Sequence, residues 1–350
     1  MNASAKRVTI TEVAARAGVS KGAVSLAFND KPGVSDATRE RIFAAARDLG
    51  WTPNVRARSL TSGRVDTVGL AVCRPARLLG LEPFYMEFIS GIESVLAEQS
   101  CSLLLRLVHD LDEEIALHRS WWQGHQVSSL IVVDFHDDDP RVPALRQLGV
   151  PAVAVGHPSL TGGLTSVWTD DASAAAEAVR YLTALGHRRI ARVGGPDGLG
   201  HSAIRAAAFS GTLHELGLKS SSQLATAYAG EEGARATRTL LLAPERPTAI
   251  IYDNDIMAVA GAAVAAELGL TVPDDVSLVA WDDSQLCRLT HPALSAMSHD
   301  VHAFGATVTR TLFDVLHGKR PESRQAPTPS LTPRGSTAAP RAARADRPSR

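Results

Sequence analysis

Two stretches of the chain contain residue types that can do chemistry. Residues 194–200 form a glycine-rich run after an apolar segment, as a dinucleotide-binding loop does, but the Gly-x-Gly-x-x-Gly spacing is missing and Pro196 removes a backbone donor. Residues 137–139 are three aspartates with no His or Cys at metal-ligand spacing, which favours a solvated loop. No nucleophile and base are paired in the sequence. We therefore expect no enzyme, no cofactor and no metal.

The cysteines and the apolar pattern indicate the cellular compartment of the protein. Cys73, Cys101 and Cys287 are far apart and odd in number, which indicates buried thiols in a reducing compartment. No run approaches about eighteen uninterrupted apolar residues, and residues 1–11 have no apolar signal core. We expect a cytoplasmic protein with no membrane partner.

Charge is distributed unevenly along the 350 residues. Residues 1–64 carry 11 Lys and Arg against 5 Asp and Glu, whereas residues 65–320 carry 19 against 30. Residues 321–350 are basic again, with 6 against 2. A basic N-terminal head on an acidic body indicates that the head binds a polyanion and the body does not.

The basic head has the pattern of short helices separated by turns. Thr9 and Glu12 have the spacing of a capping box, and Gly18 stops the helix that they open. Ser20 and Ser35 are each placed to cap a further helix. Residues 1–53 are therefore predicted to be an all-α domain.

From Thr67 onward, short apolar runs alternate with helical segments. The apolar runs, interpreted as strands, are residues 68–72, 102–107, 130–133, 152–155, 190–193, 249–252 and 276–280. The helical segments are residues 84–99, 172–185, 203–216, 233–242, 256–268 and 301–317. Such alternation gives parallel sheets with helices on both faces, so residues 65–320 are predicted to form two doubly wound α/β lobes. Ligands of such folds bind at the carboxyl ends of the strands.

The last part of the chain differs in composition. From Pro321 onward Pro, Arg, Ser and Ala dominate, which predicts a largely disordered tail over residues 321–350. Residues 330–337 are the stretch considered to lie along the second lobe. The tail lacks apolar heptads, so a coiled-coil tetramer is not expected.

Several motifs along the chain resemble one family in the same order. They are residues 8–20 (VTITEVAARAGVS), 23–25 (AVS), 34–39 (VSDATR), 185–191 (LGHRRIA), 254–258 (NDIMA) and 273–277 (PDDVS). Together they closely resemble the lac-repressor/purine-repressor family over roughly residues 8–320. The resemblance implies a helix-turn-helix domain over residues 1–53, a hinge over 54–64, and a two-lobed effector-binding domain of periplasmic-binding-protein type.

The resemblance assigns DNA contacts to the head. A helix-turn-helix places the start of its second helix on base edges in the major groove, here Lys21, Gly22 and Ser25. A lysine can donate to guanine O6 or N7, whereas glycine has no side chain to read with. Phosphate contacts, which position the head, are implied for Thr9, Ser20, Ser35, Thr38 and Asn54. A solvated charge at a helix start is the alternative for Lys21.

Residues 54–60 resemble the family's hinge helix. It is about two turns long, too short to be stable alone in water. The resemblance implies that it orders on operator DNA and inserts Leu60 into the minor groove, with Ala57 one turn earlier and Arg56 beside them. Packing between linker and body is the alternative for Leu60.

For the body, the resemblance implies a sugar or nucleobase site between the lobes. The implied effector contacts are Phe84, Tyr85, Asp171, His201, Arg205, Tyr228, Asn254, Asp282 and His299. The planar guanidinium of Arg205 suits a hydroxyl pair or a carboxylate. The mixture of acids, an arginine and aromatics favours a sugar over a nucleobase.

Alternatives remain at several of these positions. Ordinary core packing is the alternative for Phe84 and Tyr85, and an ion pair with Asp171 or Asp282 is the alternative for Arg205. Residues 73–83 are unusual in composition, so the first cleft loop is expected to differ from that of the family.

The implied function is a sequence-specific transcriptional repressor whose operator affinity is switched by a small molecule. Some relatives release DNA on binding an inducer and others hold it with a corepressor, and the sequence leaves both open. A homodimer is expected because a near-palindromic operator mirrors a two-fold protein. The rival, a solute-binding protein of a transport system, predicts a signal peptide and no basic head.

Overall fold

The computed structural model describes residues 8–29, 31–52, 66–75, 79–218 and 221–341. The chain separates into two compact units, Met1–Val65 and Asp66–Arg350. The first unit corresponds to the basic head and the second to the acidic body.

The described part of the head contains three helices, α1 (Ile10–Ala17), α2 (Lys21–Phe28) and α3 (Asp36–Asp48). The predicted capping box is confirmed, since the backbone N of Thr9 donates to Glu12 Oε2 at 2.7 Å. Gly18 ends α1 with φ of 66°, a left-handed conformation that glycine adopts at little cost. The Oγ of Ser20 accepts from the backbone N of Ala23 at 3.1 Å, so it caps α2 as predicted.

Apolar side chains from all three helices form the core of the head. Val13, Val24 and Ile42 are fully buried, one from each helix. Phe28 packs edge-on against Phe43 and Trp51, with ring centroids 4.8 and 5.1 Å away. This packing holds short helices that would be marginal alone.

The body consists of two lobes, each built on a six-stranded sheet. The first lobe has strand order β11-β5-β4-β3-β1-β2, and the second has β12-β10-β9-β8-β6-β7. The strands of the first lobe are β1 (Thr67–Cys73), β2 (Ser102–Val108), β3 (Ser129–Val132), β4 (Ala152–Val155), β5 (Ser166–Trp168) and β11 (Arg324–Gln325). Those of the second are β6 (Ile190–Gly194), β7 (Ser221–Ala225), β8 (Ala249–Tyr252), β9 (Ser277–Trp281), β10 (Ser295–Ser298) and β12 (Ser330–Thr332).

Helices cover both sheets. On the first lobe they are α4 (Pro83–Glu98), α5 (Leu111–Gln123), α6 (Arg141–Leu148) and α12 (Val301–Leu316). On the second they are α7 (Asp171–Ala184), α8 (Gly200–Glu215), α9 (Gly230–Leu241), α10 (Asp255–Glu267) and α11 (Gln285–Leu289). Pairing is parallel throughout except between β10 and β12. The two doubly wound lobes predicted from the alternation are confirmed.

The chain passes between the lobes three times in the part that the structure describes, after β5, after β10 and after β11. The first two passages lead directly into α7 and α12. Asp171 begins α7 and His299 precedes α12 by two residues. The crossing segments therefore bring polar residues to the boundary between the lobes.

Residues 330–337 lie along the second lobe as considered above, but the prediction of a largely disordered tail is wrong for the rest of residues 321–341. β11 adds to the first sheet beside β5, and β12 pairs with β10 at the edge of the second. Ser336 is fully buried, and its Oγ accepts from the backbone N of Ser295 at 2.8 Å. Composition misled here because edge strands tolerate a proline-rich sequence.

The prediction of a solvated loop at residues 137–139 is wrong for Asp139. Its carboxylate is buried and accepts from Arg141 Nε at 3.0 Å and from the backbone N of His136 at 3.0 Å. Arg141 also donates to Glu114 at 2.9 Å. The buried arginine two residues further on supplies the counter-charge that lets this carboxylate leave water.

Candidate functional site

In the head, hydroxyl side chains mark the start of every helix. Thr9, Ser20 and Ser35 directly precede α1, α2 and α3. The Oγ of Ser35 accepts no hydrogen bond from the backbone of α3 and instead donates to Thr38 Oγ1 at 3.0 Å. Free N–H groups and the helix dipole make such N-termini suited to phosphate.

The start of α2 is open to solvent. Lys21 and Gly22 are exposed, whereas Ser25 is half-buried and its Oγ accepts from Asn29 Nδ2 at 3.3 Å. Lys21 is therefore free to reach a base edge, and Ser25 is partly engaged. The candidates Asn54, Arg56, Ala57 and Leu60 lie outside the described residues.

A cavity of about 130 Å³ lies between the two lobes of the body. The structure brings all of the predicted effector contacts together on its walls: Phe84, Tyr85, Asp171, His201, Arg205, Tyr228, Asn254, Asp282 and His299. Both lobes contribute, because α4 belongs to the first and α8 and α10 to the second.

Arg205 occupies the second-lobe wall of this cleft. Its Nε donates to Asp171 Oδ1 at 2.8 Å, and its guanidinium carbon lies 3.9 Å from the ring centre of Trp281. Burial opposes the positive charge, but Asp171 and Asp253 outweigh it and hold the pKa of Arg205 above its ordinary value. The ion pair with Asp171 weighed in the sequence analysis is therefore present.

A second ion pair lies on the first-lobe wall. Arg74 Nη2 is 2.9 Å from Asp134 Oδ2, and the hydroxyl of Tyr85 donates to the same oxygen at 2.7 Å. Burial works against the Asp134 charge, but Arg74 outweighs it and lowers the pKa of the carboxyl. The Arg74 guanidinium also lies 5.4 Å from the Tyr228 ring centre, which belongs to the other lobe.

Tyr228 is held by polar contacts at both ends. Its hydroxyl lies 2.7 Å from His201 Nε2, and its carbonyl accepts from Asn254 Nδ2 at 3.1 Å. Burial and the charge of Arg205 keep the pKa of His201 below its ordinary value. Gly195 leaves room for the ring, since a Cβ there would lie 2.2 Å from the Tyr228 hydroxyl.

Sequence reasoning missed several cleft residues. Arg74, Asp134 and Asp253 follow directly or closely on β1, β3 and β8, at the carboxyl ends of parallel strands. The rule that ligands bind at this edge could have identified them. Glu82 and Asp255 also line the cleft, and burial raises the pKa of these carboxyls to about 7 and about 6.

The lobes touch each other beside the cleft. The backbone N of Gly200 donates to the carbonyl of Phe135 at 2.8 Å. A Cβ at Gly200 would lie 2.3 Å from Leu160, a residue of the first lobe. Gly200, at the end of the glycine-rich run, thus allows close packing between the lobes.

A basic helical head followed by a two-lobed body with a polar cleft defines a class of regulators that join DNA binding to small-molecule binding. Residues 9–54 match the description "Bacterial regulatory proteins, lacI family", and residues 179–337 match "Periplasmic binding protein-like domain". The HTH-type transcriptional regulator CelR of Thermobifida fusca is 30% identical over 91% of this chain and 94% of its own length. The HTH-type transcriptional repressor PurR of Erwinia tasmaniensis is 31% identical over 90% and 92%.

Solved structures agree with these matches. The lac repressor dimer bound to operator and the anti-inducer ONPF has a TM-score of 0.86 at 26% identity, covering 95% of this chain and all of that one. A CelR–cellobiose complex has a TM-score of 0.72 at 29% identity, covering 94% and 100%. The chain belongs to the lacI family, and it is a DNA-binding transcriptional regulator. No helix among the described residues is long and apolar enough to cross a membrane.

Proposed function

We propose that the chain is a repressor whose operator affinity is switched by a sugar bound in the cleft between its lobes. The observation that carries this proposal is the composition of the cleft wall. Aromatic rings of Phe84 and Tyr228 stand beside Arg205, Asp171 and Asp282. Rings can stack on a sugar face while carboxylates and a guanidinium bond its hydroxyls.

The volume of the cleft limits the size of the ligand that it can hold. Its volume of about 130 Å³ is below the roughly 300–1,000 Å³ of pockets for drug-sized molecules. A ligand of monosaccharide size fits this volume. The similar CelR structure that contains cellobiose supports a carbohydrate as the ligand class.

For the head, we propose that Lys21 reads a base edge, with Gly22 and Ser25 beside it. Thr9, Ser20, Ser35, Thr38 and Asn54 would contact phosphates, and Arg56, Ala57 and Leu60 the minor groove. The open start of α2 and the hydroxyls at three helix N-termini support the first two roles. A DNA-bound regulator works in the cytoplasm, where we place the chain.

We also propose a homodimer, because an operator with two half-sites is matched by a two-fold protein. A similar solved structure is the lac repressor dimer. Light scattering of the full chain at micromolar concentration should give twice the 37.1 kDa mass of one chain. A monomer at that concentration would remove the dimer from the proposal.

Thermal unfolding of the full chain with a panel of monosaccharides tests the ligand class. A sugar present at 100 times its dissociation constant should stabilise the chain by about 2.7 kcal/mol, which raises the melting temperature measurably. Stabilisation should be lost in Asp282→Asn. A panel in which nucleobases stabilise the chain and sugars do not would contradict the sugar assignment.

A further inference from the structure

The cleft holds more carboxylates than arginines. Six acidic side chains line it: Glu82, Asp134, Asp171, Asp253, Asp255 and Asp282. Three of them have an arginine each, since Arg74 pairs with Asp134, Arg205 with Asp171 and Arg192 with Asp253. The other three, Glu82, Asp255 and Asp282, have no arginine of their own.

The surplus carboxylates have weak or absent partners. Glu82 lies 3.8 Å from Arg74 Nε, beyond hydrogen-bond distance, and Asp134 already engages that arginine at 2.9 Å. Asp282 contacts His299 at 3.2 Å. The Asp255 carboxyl has hydrogen bonds with Ser284 and the backbone of Ile256, which lower its pKa, but its Oδ2 atom is buried and has no hydrogen-bond partner among the described residues.

These groups are nevertheless removed from water. Glu82 is 7% exposed and Asp255 is 2% exposed. A buried acceptor without a donor is rare in folded proteins and is costly, more so when it is charged. Because Asp255 lines the cavity, a bound molecule can supply the missing donor.

Glu82 is not used by its own helix. It directly precedes α4, where an acidic side chain can accept from the first backbone N–H groups, but it makes no such cap. It also lies in the segment 73–83 that sets this chain apart in composition. Its carboxylate is therefore available to the cleft.

We propose that the effector carries a protonated amine that binds Asp255 Oδ2 in the field of Glu82 and Asp282. This inference rests on the proposed function, in which a small molecule occupies the cleft. An ammonium brings three donors and a positive charge together, whereas a hydroxyl brings one donor and no charge. An amino sugar meets both this demand and the aromatic walls.

Two further observations agree with an organic cation. No group of three or more His, Cys, Asp or Glu in the described part of the chain has the arrangement of a metal site. Burial and the negative charges of Asp134, Asp282 and Asp255 outweigh Arg74 and raise the pKa of Glu82 to about 7, which a nearby ammonium would reverse.

Titration calorimetry of the full chain with matched sugars tests the proposal. The pairs are glucosamine with glucose, galactosamine with galactose, and mannosamine with mannose, all at pH 7.5 and equal ionic strength. At least one amine should bind about tenfold more tightly than its hydroxyl partner, because a charge-assisted hydrogen bond is the stronger one.

Substitutions of the cleft carboxylates test whether they cause the preference for the amine. Asp255→Asn and Glu82→Gln should each remove most of the amine preference. Glu87→Gln is the control, since Glu87 is an exposed glutamate of α4 outside the cleft and its removal changes the net charge equally. Thermal melting of each variant shows whether it is folded, and Glu82→Gln provides the test if Asp255→Asn is not.

The outcomes separate this inference from the proposed function. If a neutral sugar binds as tightly as its amine, or more tightly, the proposal of a sugar-binding cleft stands and the proposal of a protonated amine on the effector is wrong. An amine preference that survives in both cleft variants also overturns it. If no sugar of either kind binds, both proposals fail.

Discussion

The hydrogen bonds within the head and those within the cleft join residues at very different distances along the sequence. In the head, Thr9 bonds Glu12 and Ser20 bonds Ala23, each three residues away. In the cleft, Arg205 bonds Asp171 across 34 residues, and Tyr85 bonds Asp134 across 49. Local bonds can be recognised from spacing, whereas long-range pairs depend on the whole fold. We therefore expect substitutions in the head to act singly and those in the cleft to act through their partners.

The largest effect is expected where a cleft substitution leaves a buried charge behind. Arg205→Ala should lower the free energy of unfolding by about 3–5 kcal/mol, because Asp171 loses its counter-charge. Urea unfolding of the full chain measures this. The same variant should lose the effector response, since Arg205 lines the cleft.

Arg180→Ala is the matched control. Arg180 pairs with Glu215 at 3.5 Å on the surface, with more than half of each side chain exposed. Its loss should cost less than about 1 kcal/mol. If Arg205→Ala unfolds like Arg180→Ala and binds sugar like the unmodified chain, Arg205 has no part in the site.

The next effect depends on pH and concerns Glu82. Its pKa is raised from 4.5 to about 7, so the folded chain holds a proton there that the unfolded chain releases from about pH 4.5 upward. Stability should fall by roughly 3 kcal/mol between pH 4.5 and 7.5 through this group alone. Glu82→Gln should remove that fall, and Glu87→Gln should keep it. Burial is the largest cause of the raised pKa, Arg74 opposes it, and Asp134, Asp282 and Asp255 add to it.

An unchanged pH profile in Glu82→Gln, measured by urea unfolding at each pH, would show that the carboxyl is ionised in the fold at low cost. Groups of the protein itself would then compensate the charge of Glu82, and no cationic ligand would be needed to do so.

A smaller loss of stability is expected when the contact between the lobes is disturbed. Gly200→Ala places a Cβ 2.3 Å from Leu160, so it should cost about 1–3 kcal/mol and weaken sugar binding by opening the cleft. Gly211→Ala in the same helix meets no atom within 4 Å and should be neutral or slightly stabilising. Adding Leu160→Ala should restore much of the loss in Gly200→Ala. Equal behaviour of the two glycine variants would argue against close packing of the lobes.

The smallest effect is expected in the head. Lys21→Ala should cost about 1–3 kcal/mol of DNA binding at a single operator position and leave the sugar affinity of the body unchanged. Lys31→Ala, which removes an equal charge from the exposed turn after α2, should weaken binding to all duplexes alike. Anisotropy titrations with operators varied one base pair at a time measure both. A uniform loss in Lys21→Ala would mean that Lys21 contacts phosphate only.

The sequence predicted the long, strongly patterned elements well. All seven predicted strands and six predicted body helices are present, with ends within three residues. The short strands β5, β7 and β10 and the helices α5, α6 and α11 were missed, because three to five residues, or helices with charged faces, carry little apolar periodicity.

At the site, the positions could be predicted, but of the ion pairs only that of Arg205 with Asp171 was among the alternatives considered. The effector candidates all reached the cleft, yet nothing in the spacing of Arg74 and Asp134, or of Arg192 and Asp253, announces an ion pair. These pairs form where strands distant in sequence end side by side. Asp139 shows the same limit, since its buried role depends on Arg141 reaching Glu114 on another helix.

The central claim is that occupation of the cleft changes the affinity of the head for DNA. The direct measurement is the dissociation constant of the full chain for an operator selected from random duplexes, with and without a sugar that stabilises the chain. We predict a change of about 5–150-fold, in either direction, that disappears in Asp282→Asn. A sugar that raises the melting temperature but leaves the operator dissociation constant unchanged would contradict the account.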